Sequence, residues 1–326
     1  MASIHRRRPW QSRDLEETSE ARFEEWSRLS RRGMLHSMLV GGAAIGLGLS
    51  GRVETAVAFA QDKKKKEAGS ENFPAKRNEQ FKMDRPLTDE LAAARYNNFY
   101  EFSKEKRVGG LVKDWDISGW KLEIPGLVEN PATFDMDELA KKFPYEERLY
   151  RHRCVEAWAM AVPWTGFALK KLLDYVKPKS SAKFVKFVSF DHKKAKGARR
   201  STPGEPFPYT EGLTIAEAAN DLTMIVTGIY GHSLPKQHGA PVRMVVPWKY
   251  GFKSAKSLVK IELLATRPAT FWPAIIPAEY DFTANVDPTT PHPRWSQATE
   301  WDIGTKVRKP TLQYNGYGEW VASLYS

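Results

Sequence analysis

Cys154 is the only thiol in a chain of 326 residues, and it stands in the run Tyr150-Arg151-His152-Arg153-Cys154-Val155-Glu156-Ala157-Trp158. A single cysteine forms no internal disulfide and runs no dithiol chemistry. With no CxxC or CxxCH, the sequence offers no cysteine-based zinc ribbon, iron–sulfur cluster or c-type haem. Three roles remain for the sulfur: a small buried hydrophobe, a nucleophile, or a soft ligand to one metal. Arg151, His152 and Arg153 point away from the inert role, because nearby cations favour the thiolate, the form that binds metal.

A second chemically suggestive segment runs from Gly239 to Ser257. It reads as a buried strand, Val242 to Val246, followed by a loop around Gly251 that presents Lys253 and Lys256 beside backbone N–H groups. Backbone donors with lysine point charges suit a phosphate. Other signatures are absent: no GxGxxG, P-loop, HExxH or GxSxG occurs. His152, His192, His232, His238 and His292 show no metal-ligand spacing, and the 11 tryptophans read first as packing for a loop-rich core.

The elements that must carry these residues follow from pattern. Asp135 and Glu138 have capping-box spacing and open a helix through Lys142; Thr214 and Glu217 do the same for a helix through Ala219. Apolar residues at 169, 172, 173 and 176 mark a helical face. Trp120 to Val128 reads as a short strand and turn at Pro125-Gly126, and Phe184 to Phe190, Met224 to Ile229, Val242 to Val246 and Ser257 to Leu264 as strands. Phe73 to about Arg107 reads as polar and irregular, and the Pro- and Trp-rich C-terminal third as loops over the core. The interleaving lacks the regular alternation of a doubly wound sheet, so the expected class is α+β with a mixed sheet, helices and long irregular loops.

The first 60 residues read as a leader. Arg31-Arg32 precede a modest apolar stretch from Met38 to Leu49, too short to span a bilayer, and Ala58-Phe59-Ala60 offers a cleavage site before Gln61. Paired arginines ahead of a weakly hydrophobic segment fit a twin-arginine (Tat) signal, which exports folded protein to the periplasm. That leaves residues 61–326, enough for one large domain or two modest ones. The net charge of +11 suits an anionic ligand or membrane face, while export argues against nucleic acid.

Four separated motifs carry a resemblance: Tyr96 to Phe102, Arg151 to Trp164, Gly239 to Lys256 and His292 to Glu300. Together they resemble the catalytic subunits of periplasmic methionine sulfoxide reductases of Gram-negative bacteria, molybdoenzymes with the sulfite oxidase fold. The resemblance implies a single catalytic domain over residues 61–326 and one molybdenum-molybdopterin per chain, with Cys154 as thiolate ligand to the metal. It implies that Asn97, Tyr100, Glu101, Arg243 and the Ser254-Ala255-Lys256 stretch hold the cofactor, the last at its phosphate. Ser189 falls where some members have Thr, which keeps the hydroxyl, and His238 where some have Asn. Glu156 matches a carboxylate near the metal's open face that would position or protonate substrate oxygen.

Sulfoxide reduction consumes two electrons and two protons, and thiol-based routes normally need a second thiol to resolve the intermediate. A lone Cys154 makes that route poor and oxygen transfer to a metal preferable. Lacking haem and iron–sulfur motifs, the chain must receive electrons from elsewhere; the resemblance implies a haem-containing inner-membrane subunit as donor, oxidised periplasmic proteins as substrates and a monomeric catalytic subunit. The alternatives are sulfite oxidation on the same fold and, more distantly, a non-enzymatic periplasmic binding protein.

Overall fold

Eleven consecutive residues, Trp158–Ala168, are all buried and form one strand. A strand covered on both faces loses the alternation that marks a half-exposed one, so its sequence reads as a plain apolar run. Pro163 disguises it further, since proline lacks a ladder donor. The computed structural model describes residues 72–326, which fall within one compact unit. The expected leader, with its arginine pair and cleavage site, lies outside the described residues.

The strands are β1 (Lys121–Ile124), β2 (Ala132–Asp135), β3 (Glu146–Arg153), β4 (Trp158–Ala168), β5 (Phe184–Ser189), β6 (Thr210–Thr214), β7 (Met224–Ile229), β8 (His232–Ser233), β9 (Arg243–Val245), β10 (Leu258–Leu264), β11 (Thr299–Asp302) and β12 (Arg308–Pro310). They form two mixed sheets where the sequence suggested one. The five-stranded sheet has the order β2-β1-β10-β5-β6, with β1 and β10 parallel. The seven-stranded sheet follows β12-β11-β4-β7-β8, with β3 also on β4 and β9 also on β7. Length lets β4 serve three neighbours. Along one edge it pairs with β3; along the other, Trp158 and Ala159 pair parallel with β11, and Trp164 to Ala168 pair antiparallel with β7. Pro163 lies one residue beyond the last β7 pair, where a missing donor does least harm.

Both capping boxes form as the spacing predicts. Asp135 Oδ1 accepts from Glu138 N–H at 2.8 Å and Glu138 Oε2 from Asp135 N–H at 2.9 Å. Thr214 and Glu217 repeat the exchange at 3.2 and 2.9 Å. Such a cap is typically worth about 1 kcal/mol. The helix Leu169–Val176 buries Leu169, Leu172, Leu173 and Val176, the face its periodicity marks. The segment from Phe73 to Arg107 holds one short helix, Glu90–Arg95, and the chain beyond β10 contributes β11, β12 and two short helices, Phe271–Ile275 and Gly318–Val321, besides its loops.

The 239–258 segment links the two sheets. Val242 O accepts from Leu258 N–H at 2.9 Å and Ala255 O from Met244 N–H at 3.0 Å, so the loop returns alongside β9 before entering β10. Against it lies the Tyr96–Phe102 motif. Phe99 and Phe102 insert into a buried cluster with Trp115 and Phe190, which leaves the intervening polar residues facing the cleft between these segments.

Candidate active site

Cys154–Ala157 links β3 to β4, which run in register from Glu146 opposite Gly166 to Arg153 opposite Ala159. Cys154 N–H donates to Trp158 O at 2.9 Å and Ala157 N–H to Cys154 O at 3.0 Å. Ala157 sits at φ +63°, a left-handed conformation that a β-carbon disfavours. The C-terminal segment holds the loop in that shape. Trp295 Nε1 and Gln297 Nε2 donate to Val155 O at 2.7 and 2.8 Å, and Trp301 N–H to Ala157 O at 2.8 Å. Arg153 donates to Cys154 O and, at 2.8 Å, to Gln297 Oε1. The His292–Glu300 motif therefore clamps the loop that carries the thiol.

The three cationic neighbours do not act on the sulfur as the sequence suggested. Arg153 pairs with Glu300 at 3.3 Å and Arg151 with Asp84 at 2.7 Å. His152 is neutral, its pKa lowered to about 3 by burial and then by Arg243, Lys256 and Arg153. Successive strand residues point to opposite faces, so neighbours in sequence are not neighbours in charge. Burial instead pushes the Cys154 thiol up to about 12, and the negative charge of Glu156 adds to it against Lys106 and Arg153. Proximity to Arg and His is thus not what would deprotonate Cys154; a bound cation would be.

Glu156 belongs to a polar group beside the sulfur. Burial pushes its carboxyl up, but the Lys106 ammonium and hydrogen bonds from Lys106, Trp158 and Asn98 outweigh that and hold its pKa below the usual carboxylate value. Lys106 Nζ donates to Glu156 Oε2 and to Asn98 Oδ1. Trp158 Nε1 donates to Glu156 Oε2 at 3.2 Å. The Asn98 amide nitrogen lies 3.4 Å from both Glu156 Oε2 and Cys154 Sγ.

The same cleft has a cationic end. Arg243 is buried and donates only to neutral carbonyls, His238 O at 2.7 Å, Ser254 O at 2.9 Å and Met244 O at 3.3 Å. Burial lowers its pKa from 12.5 to about 9. Lys256 Nζ donates to Gln237 O at 2.7 Å and reaches Asn97 Oδ1 at 3.4 Å, and burial followed by repulsion from Arg243 pulls it well below the ordinary lysine value. Glu101, also buried, is raised to about 7 by desolvation, against the pull of its own backbone N–H, Lys256 and Arg199. Among the described residues no carboxylate bonds to Arg243 or Lys256. Arg243, a buried charge hydrogen-bonded only to neutral carbonyls among the described residues, calls for an anion, and an anion there would also favour the charged form of Lys256 beside it.

A single cleft connects these groups. Asn97, Tyr100, Glu101, Cys154, Glu156, Arg243, Ser254, Ala255 and Lys256 all line it. Ser189 and His238 stand behind the wall. Ser189 Oγ donates to Lys256 O at 2.7 Å, and His238 offers its carbonyl to Arg243. Gly239, at φ +100°, passes so near the Lys256 stem that a β-carbon there would lie 2.7 Å from Lys256 Cβ. Lys253 faces elsewhere, paired at 2.7 Å with Glu211, both without exposure, so of the two lysines expected beside a phosphate only Lys256 lines the cleft.

Residues 109–272 match the oxidoreductase molybdopterin binding domain family. The chain is 48% identical over 241 residues to the protein-methionine-sulfoxide reductase catalytic subunit MsrP of Campylobacter jejuni, covering 73% of this chain and 81% of that protein. This chain belongs to the protein-methionine-sulfoxide reductase catalytic subunit family. It is an oxidoreductase with a molybdopterin-binding domain and an α+β fold. Among solved structures it is similar to the sulfane dehydrogenase SoxCD of Paracoccus pantotrophus, at 16% identity and a TM-score of 0.40. That match covers 66% of this chain and 60% of the other, less than two thirds of its length.

The site fits the family's cofactor on its own chemistry. A molybdopterin brings a phosphate, for which Arg243 and Lys256 are waiting with only neutral partners. Among the described residues no group of three or more His, Cys, Asp or Glu gathers to hold a metal ion. A metal carried on an organic cofactor would bring other ligands with it and could take Cys154 as one more. Sequence reasoning missed Lys106, which has no spacing signal, and gave Asn98 no role although it lies inside the Tyr96–Phe102 motif. It also passed over Trp158, Trp272 and Tyr280, which line the cleft and, as aromatic residues, looked like core.

Proposed function

We propose that this protein reduces methionine sulfoxide, free or in oxidised proteins, to methionine, with Cys154 as the protein's ligand to a molybdenum carried on molybdopterin. The observation that carries the reading is one cleft with a thiol, an amide and an ionised carboxylate at one end and the anion-seeking Arg243 with Lys256 at the other. The overall change is sulfoxide plus two electrons and two protons giving thioether and water. When bound, the metal centre supplies the two-electron oxygen-atom transfer. Arg243, Lys256 and the Ser254-Ala255 backbone would hold the phosphate, and Asn97, Tyr100 and Glu101 the pterin.

Glu156 is ionised as it stands, so it orients donors and receives protons and does not arrive as an acid; the Lys106 ammonium bonded to it carries the nearest protons. Tyr100, Trp272 and Tyr280 pack ring to ring, with centroids 4.9 Å apart in both contacts. Such an aromatic wall suits a thioether, whose polarizable sulfur makes favourable ring contacts. The arginine pair at 31 and 32 supports export to the periplasm by the Tat route, and likeness to a protein named as a catalytic subunit supports a separate partner as electron donor, read here as a haem-containing membrane subunit. A monomeric catalytic subunit completes the reading.

Purified protein from Gln61 onward is expected to carry about one molybdenum and one pterin per chain, without haem, and to reduce methionine sulfoxide with an artificial electron donor. Metal analysis and an assay of methionine sulfoxide against sulfite test this. Active protein without molybdenum would refute the metal reading. Sulfite oxidation without sulfoxide reduction would refute the substrate.

A further inference from the structure

We propose that Lys106 is a positioning residue: it fixes the orientation of the Asn98 amide, so that Asn98 donates a hydrogen bond to the Cys154 sulfur and tunes that sulfur's donation to the metal. The inference rests on the reading of Cys154 as metal ligand. The two ends of an asparagine amide are nearly equal in size, so sterics alone do not choose between them. Charge does. Oδ1 accepts from the Lys106 ammonium, while Nδ2 lies 3.4 Å from Glu156 Oε2 and from Cys154 Sγ. An ammonium only donates and a carboxylate only accepts. Flipping the amide would set N–H against ammonium and oxygen against both carboxylate and sulfur, wrong at every contact.

The backbone puts Lys106 in place to do this. Asn97 N–H donates to Lys106 O at 2.9 Å, closing the 97–106 segment on itself and returning Lys106 beside Asn98. Its side chain is only 12% exposed and lies 6.0 Å from the Tyr96 ring centroid, so few other positions are open to it. Lys106 does not reach the sulfur itself; its effect passes through the amide. A hydrogen bond donated to a ligating thiolate withdraws electron density from the metal and raises its reduction potential.

The test compares metal-loaded Lys106→Met, Lys106→Arg, Asn98→Leu and the Lys106→Met/Asn98→Leu double variant, reading the midpoint potential and the sulfur-to-metal charge-transfer absorption. Lys106→Met is expected to lower the reduction equilibrium constant about tenfold, which is about 59 mV for a one-electron step. In the Asn98→Leu background the same change should move it less than about threefold, because the relay is already gone. Lys106→Arg, which keeps a donor for Oδ1, should restore most of the shift. If Asn98→Leu does not load metal, Asn98→Ala replaces it. Equal shifts in both backgrounds would overturn the proposal in favour of plain charge, and no shift at all would overturn it outright. A charge-transfer spectrum unaltered by Cys154→Ser would instead sink the ligand assignment, and the proposal with it.

Discussion

Replacing Arg243 by Met should leave the cofactor-free protein no less stable than wild type while emptying the site of cofactor. Arg243 is 3% exposed, and its guanidinium meets three carbonyl oxygens and no carboxylate among the described residues. The fall of its pKa from 12.5 to about 9, at about 1.36 kcal/mol per unit, bounds the cost of keeping that charge buried without an anion at about 5 kcal/mol. Against this, Arg243→Met abandons the carbonyls of His238 and Ser254, at about 1–2 kcal/mol each, and the longer contact to Met244 for less. The expected net change is between about 0 and 2 kcal/mol in favour of the variant. With cofactor the sign reverses. A charge-assisted hydrogen bond is worth about 1.5–3 kcal/mol, so affinity should drop roughly 10- to 150-fold. Urea unfolding of the cofactor-free proteins gives the first quantity, and molybdenum content after expression under limiting molybdate the second. Destabilisation of the cofactor-free variant by more than about 3 kcal/mol, with molybdenum content unchanged, would refute the view of Arg243 as a charge awaiting its anion.

Glu101 has its pKa raised from 4.5 to about 7, so its stabilising share is full below pH 4.5 and lost as pH rises through 7. Glu101→Gln should accordingly stabilise the cofactor-free protein at pH 8 by up to about 3 kcal/mol and barely alter it at pH 4, as read by urea midpoints; equal effects at both would contradict the assignment. Gly239→Ala forces a β-carbon into φ +100° and to 2.7 Å from Lys256 Cβ, and should cost about 1–3 kcal/mol in thermal unfolding together with part of the molybdenum content. Cys154→Ser should keep the fold and abolish sulfoxide reduction, since an alkoxide is a harder, poorer partner for this metal; full turnover by the serine protein would remove Cys154 from the metal. Arg31→Lys with Arg32→Lys should leave precursor in the cytoplasm, and an unchanged periplasmic yield in fractionation would rule out a Tat signal.

Local physics written into short stretches is legible in the sequence alone. Asp135 with Glu138 and Thr214 with Glu217 need only three-residue spacing to exchange hydrogen bonds, and the 169–176 face needs only helical periodicity. The strands at 184–189, 224–229 and 258–264 show themselves by composition. Cys154 stands out because it is alone, and four motifs far apart in sequence point to one cofactor. What stays hidden depends on contacts across long separations. β4 is unreadable because both its faces are buried, and pattern detects only the difference between faces. The charge near the thiol misleads because Arg151 and Arg153 spend their charge on Asp84 and Glu300, carboxylates 67 and 147 positions away in the chain. Lys253 and Lys256 look alike in sequence, yet Glu211 claims the first while the second bonds to neutral oxygens. Lys106 gains its place beside Glu156 only when the chain folds 50 residues back on itself. Residue types set which chemistry is available to this protein; the pairing of charges, decided by tertiary contact in a low dielectric, sets which groups are free to perform it.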